Sequence, residues 1–153
     1  MKFLLFIFLC LIRMLWITGT ANAQSGHQAI ESLIQDSFDT LWSAYKTDKI
    51  LNYHTSGYML FENGIVWNND SVAYYLQRAA GSGQDYQRIN RFEFEKIQVN
   101  GKQAWCAYIN YATLKSGEKV LRKISWLESA NLVKTPAGWR IQFLHSTRRP
   151  EEQ

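Results

Sequence analysis

The segment Ile124–Thr147, ISWLESANLVKTPAGWRIQFLHST, restricts the fold more than any other stretch of this chain. It reads as two strands joined by a turn containing Pro136 and Gly138. Side chains alternate along a strand, so Ile124, Trp126, Glu128, Ala130 and Leu132 share a face of the first strand. Trp139, Ile141, Phe143, His145 and Thr147 share a face of the second. Each apolar face therefore carries one polar residue, Glu128 or His145, and an unpaired charge in an apolar interior is very costly. For the two faces to coincide, paired residue numbers must sum to an odd value. A loop of Thr135–Gly138 pairs Lys134 with Trp139 and sets Glu128 opposite His145. A loop of Lys134–Ala137 pairs Val133 with Gly138 and leaves His145 diagonal to Glu128. The Cβ separation is then about 5 Å or about 7 Å, both within side-chain reach. The expectation is a Glu128–His145 pair in a pocket, set against a structural hydrogen-bonded pair that fixes strand register.

The period of two extends well upstream. Phe92 and Phe94 share a face while Ile97 and Val99 have the opposite parity, which a bulge near Glu95-Lys96 would reconcile. Asn100-Gly101 turns the chain into Lys102–Leu114, apolar on both faces and hence expected to be covered on both. Before this region the pattern is helical. Ile30, Leu33, Ile34, Phe38, Leu41, Trp42 and Tyr45 recur at spacings of three and four behind a capping-box match at Ser25–Gln28. A short helix through about Tyr53 follows, with His54 near its end as a cation suited to the helix dipole. Then come a strand Tyr58–Phe61, an Asn63-Gly64 hairpin signal, and a helix capped within Asn68–Asp70 and buried through Val72, Tyr75, Leu76 and Ala79.

The first 23 residues are expected to be processing signal: Lys2, then ten apolar residues Phe3–Ile12, then a small-x-small site Ala21-Asn22-Ala23. This apolar run is short of the roughly 20 residues that span a bilayer. The domain is accordingly placed at 24–153, secreted or periplasmic, with no membrane association after cleavage; the alternative is a segment kept as an uncleaved anchor. The full chain has 17 Lys and Arg against 13 Asp and Glu, a net charge of +4, which becomes +2 without Lys2 and Arg13. The basic residues are scattered, which argues against a nucleic-acid surface. Loss of Cys10 leaves Cys106 alone in an apolar strand, the pattern of a buried inert thiol.

Helices followed by a long antiparallel sheet give an α+β domain. The element order resembles the nuclear-transport-factor-2-like superfamily, in particular its SnoaL-like and ketosteroid-isomerase-like secreted members. So do Glu128-Ser-Ala, Leu132-Val-Lys, Gly138-Trp-Arg-Ile and Leu144-His-Ser-Thr-Arg148. The resemblance covers about Ala29–Arg148. It implies a cone-shaped fold, with N-terminal helices packed on a strongly bent antiparallel β-sheet and a pocket at the open end. The association domain of calcium/calmodulin-dependent kinase closes on a similar Trp…His-x-Ser pattern. Laid along this chain, the ketosteroid isomerase base falls near Glu62 and its second acid near Glu128-Ser129. Its tyrosine falls near Phe38–Thr40, where there is none, so steroid isomerisation is not implied.

The candidate catalytic residues are therefore His145, Glu128 and Glu62. The candidate ligand-binding residues are Trp126, Tyr108 and Tyr58, with Arg122 as a counter-charge at the rim. No third ligand accompanies His145 and Glu128 at metal-binding spacing, so neither a metal nor another cofactor is expected. The expected function is binding of a small, partly apolar molecule by a protein that dimerises through its sheet face. The alternatives are an acid–base enzyme (isomerase, lyase or hydrolase) and a dimeric assembly module without a ligand.

Overall fold

The computed structural model describes residues 24–83 and 85–150. The expected signal segment, 1–23, lies outside them.

Helix α1 covers residues 24–37 and continues as a π-helical turn, Phe38–Ser43. It is already helical at residue 24, so Ser25 lies within it and does not cap it. The amphipathic stripe packs as its spacing predicts. Ile30, Ile34, Phe38 and Leu41 are buried, with Leu33, Trp42 and Tyr45 against the margin of the core. A 3-10 turn Thr47–Lys49 leads into the single-turn helix α2, Ile50–Tyr53, and directly into strand β1, His54–Glu62. Asn63 and Gly64 both have positive φ, 52° and 76°, as a tight type I′ hairpin turn requires. Strand β2, Ile65–Trp67, follows. Helix α3, Asn69–Ala80, opens with a complete capping box: the Ser71 backbone N–H donates to Asn68 Oδ1 at 2.9 Å, and the Asn68 N–H donates to Ser71 Oγ. Val72 and Leu76 are its fully buried residues.

Four long strands complete the chain: β3 Gln87–Asn100, β4 Gln103–Ser116, β5 Lys119–Thr135 and β6 Gly138–Arg148. With β1 and β2 they form one sheet in the order β2-β1-β6-β5-β4-β3. Two features correct the expected cone on an antiparallel sheet. Strand β1 runs parallel to β6, making the sheet mixed, and the sheet is not strongly curled. Turn signals in a sequence report only hairpin neighbours. The β1–β6 contact joins the first and last strands and has no connecting turn to announce its direction. The bulge expected near Glu95-Lys96 is present, with pairing that steps from Phe94 to Lys96. It bends β3 locally and leaves six strands in one open layer edged by β2 and β3.

The core lies between the helices and one face of this layer. Its deepest rows are apolar: Ile141, Leu132 and Ala104, then Leu60, Leu144, Ala130 and Cys106. Cys106 is a buried free thiol whose pKa burial pushes up to about 12, so it is unreactive. His54, expected as a cation near the end of the short helix, is instead buried at the start of β1. It is stacked on Tyr58 at 3.7 Å and bonded to Asn69, and burial lowers its pKa to about 4.

Because Asn68 satisfies the otherwise unpaired first turn of α3, Asn68→Ala is expected to lower stability by about 1 kcal/mol. An unchanged midpoint in urea unfolding would contradict that role for the cap.

Candidate functional site

The hairpin turn pairs Lys134 with Trp139, the first of the two registers the sequence allows. Three residues further along, the register shifts: Leu132 pairs with Ile141 but Asn131 pairs with Phe143, so Gln142 is an inserted bulge residue. One extra residue exchanges the faces of everything beyond it. Leu144 and Ser146 point into the core, and His145 is exposed on the opposite side of the sheet. Glu128 is consequently paired with Ser146, and His145 faces Ser129 on one side and Phe61 on the other. The expected Glu128–His145 pair is not formed.

The partners Glu128 does have lie in one row across the sheet. Glu62 on β1, Ser146 on β6, Glu128 on β5, Tyr108 on β4 and Phe94 on β3 are successive register neighbours. This row marks the upper limit of the apolar floor. Glu128 is 5% exposed. Ser146 Oγ donates to its Oε1 at 2.9 Å, and Asn110 Nδ2 donates to its Oε2 at 3.3 Å. The Tyr58 hydroxyl and Asn110 Oδ1 are buried without a hydrogen-bond partner, and the Tyr108 hydroxyl is buried beside Glu128. Such a concentration of unsatisfied polar atoms around one carboxyl is unusual for a structural core.

Above the row is a cavity of about 200 Å³. Glu62, Asn110, Glu128 and Ser146 line its polar side, and Phe38, Trp42, Trp67, Tyr75 and Trp126 supply aromatic walls. Trp42 and Tyr75 are in ring contact at 5.8 Å, and Trp67 and Tyr75 at 5.5 Å. Phe38 and Trp42 come from the π turn of α1, a feature frequent beside functional sites. Arg88, from the start of β3, is the one cationic side chain in this lining, 5.2 Å above the Trp126 ring.

No family model matches the chain, and no curated protein matches it. Solved structures do. A protein of unknown function with a cystatin-like fold from Nostoc punctiforme is 12% identical, with 82% of this chain and 92% of that one covered and a TM-score of 0.66. A ketosteroid isomerase-like protein from Erwinia carotovora is 14% identical over 80% and 95% of the two chains, TM-score 0.59. An NTF-2-like protein of unknown function from Silicibacter pomeroyi is 14% identical over 82% and 98%, TM-score 0.59. The chain has the nuclear-transport-factor-2-like fold. At these identities the likeness is one of fold, and what the site does must come from its own residues.

Within this nuclear-transport-factor-2-like fold the sequence-derived candidates separate. Glu128, Glu62 and Trp126 line the cavity, while Tyr58 and Tyr108 lie beneath it as buried floor. Arg122 is exposed on β5 outside the lining, and His145 is on the other face. Arg88, Asn110 and Ser146 were not anticipated. The first two carried a usable signal. Arg88 and Asn90 have the parity of Phe92 and Phe94, and Asn110 has that of Cys106 and Tyr108, so simple extension of those faces reaches them. Ser146 carried none, because the Gln142 bulge hides its face. Among the described residues no three metal-capable side chains cluster.

The electrostatics follow from burial. Desolvation raises the Glu128 pKa from 4.5 to about 7, opposed by the hydrogen bonds from Ser146 and Asn110 and by the charge of Arg88. Desolvation also raises that of Glu62, against the opposing charge of Arg88 and hydrogen bonding from Trp126. Burial lowers that of Arg88, and the charge of Glu128 opposes it. Glu128 is thus a carboxyl group that divides between acid and anion near neutral pH, facing an aromatic cavity.

That shift has a stability signature. Between about pH 4.5 and 7 the unfolded chain has released a proton that folded Glu128 retains, so stability falls as pH rises through this window and levels off above it. Glu62 contributes in the same direction. Glu128→Gln, which mimics the neutral acid, is expected to remove on the order of 3 kcal/mol of this pH dependence. Urea unfolding at pH 5 and pH 8 measures it, and equal slopes for variant and parent would refute the assignment.

Proposed function

We propose that this protein binds a small, partly apolar molecule in the cavity above the Glu62–Ser146–Glu128 row. The observation that carries the reading is the buried carboxyl of Glu128 opening onto an aromatic-walled cavity, with unpaired hydroxyl and amide atoms around it. Aromatic walls supply contact area at little entropic cost, and a few convergent polar atoms supply orientation. The roles expected for Glu128 and Trp126 are retained in this reading. His145 has none, since it is outside the cavity. Mass spectrometry of small molecules carried by the mature protein from its native compartment is expected to find one compound near stoichiometric amount. Trp126→Ala and Glu128→Gln should reduce its retention severalfold, and His145→Ala should leave it unchanged. Equal retention by all three variants would refute the reading.

A second reading, an acid–base isomerase, lyase or hydrolase, draws on a specific arrangement. Glu62 and Glu128 are two strands apart, about 10 Å at the backbone, and burial raises both of their pKa values. Two carboxyls of unequal environment facing one cavity are suited to act as base and acid.

We also infer export by the 1–23 segment and a homodimer through the uncovered sheet face. That face exposes Met59, Phe61, Trp105 and Leu127, with Phe143 edge-on to Phe61 at 5.0 Å. Phe61→Arg with Leu127→Arg is expected to yield a monomer in sedimentation velocity. A parent that is itself monomeric at tens of micromolar would rule the dimer out.

A further inference from the structure

Arg88 is held in an unusual way for a mostly buried cation. Its Nε donates to Asn90 Oδ1 at 2.8 Å. Asn90 is itself buried and donates through Nδ2 to Asp39 Oδ1 at 2.9 Å and to Ser43 Oγ at 2.8 Å. Asp39 and Ser43 belong to the π turn of α1, and Gln35 Nε2 donates to the second Asp39 oxygen at 2.8 Å. A relay from helix to strand therefore fixes the guanidinium by its Nε edge, and Arg88 lines the cavity.

Among the described residues no salt bridge joins Arg88 to Glu62 or Glu128 at 4.0 Å or less. Yet both acids and Arg88 line the same cavity and act on one another electrostatically. A desolvated guanidinium without an ion pair is costly unless something else accepts its hydrogen bonds. Its arrangement, planar and with paired donors, suits a carboxylate.

Size narrows the remainder of the molecule. A dry cavity of about 150 Å³ takes up one benzene molecule, so about 200 Å³ holds one ring with a small substituent. Trp126, beneath the guanidinium, offers the stacking surface for that ring.

We propose that the ligand is a single-ring, aromatic or similarly compact apolar monocarboxylate, its carboxylate bridging Arg88 and the Glu128 carboxyl and its ring against Trp126. Asn90 is the positioning residue that aims Arg88. This rests on the small-molecule reading above and specifies its ligand class. Glu128 supports the bridge because burial favours its neutral form, which donates a hydrogen bond to a second carboxylate and does not repel it.

The test uses phenylacetate and its neutral isostere phenylacetamide, titrated into the mature protein at pH 6.5 and followed by tryptophan fluorescence. Phenylacetate is expected to bind at least tenfold more tightly than phenylacetamide. Arg88→Gln should abolish that ratio, and Asn90→Ala should reduce it severalfold, while phenylacetamide affinity stays within twofold in both. A change in the ratio separates aiming of the charge from a loss of structure, which would weaken both probes alike. Phenylacetamide binding as well as phenylacetate in the parent protein would overturn this inference and leave the small-molecule reading intact. Binding of neither would overturn this inference, and the retention experiment above then decides the small-molecule reading.

Discussion

The site depends on keeping one carboxyl group out of water. Glu128 lies where the apolar floor of the sheet ends, and two hydrogen bonds, from Ser146 and Asn110, make its burial tolerable without neutralising its cost. Everything that surrounds it can be understood as managing that cost. Arg88 is near enough to act on Glu128 electrostatically but not close enough to form an ion pair, and burial holds the pKa above its ordinary value. A closer cation would fix the carboxyl as an anion. A missing serine would leave one oxygen with no donor.

The sheet supplies the geometry for this at small expense in sequence. Register neighbours across five strands bring Glu62, Ser146, Glu128, Tyr108 and Phe94 into one row, so residues distant in the chain share a line of side chains about one strand spacing apart. The parallel contact between β1 and β6 is what adds Glu62 to the row. The helices then cover this face alone, leaving the opposite one with Phe61, Leu127 and Trp105 in the open. A single layer thus has one covered face that carries the cavity and one open face with exposed apolar residues.

Much of this was legible in the amino-acid sequence, and the exceptions have physical reasons. The Glu95 bulge could be read because Phe92 and Phe94 are followed by Ile97 and Val99 on the opposite parity, with two charged residues between. The Gln142 bulge could not. Phe143 and Leu144 are adjacent and both apolar, so either parity gives β6 a plausible buried face. That ambiguity moved His145 to the exterior and put Ser146 in its place. The Asn63-Gly64 turn and the Asn68 cap were local signals and were legible as such. The mixed, weakly curled sheet was not, because its defining contact is between the first and last strands.

Glu128 keeps its proton in the folded protein until near neutral pH. Carbon-13 NMR of the side-chain carboxyl carbons in glutamate-labelled protein, with the Glu128 signal assigned by its absence from Glu128→Gln, follows that proton directly. The prediction is a titration midpoint of about 7. A midpoint at the ordinary value of 4.5 would show that the carboxyl is solvated and would contradict the site as described.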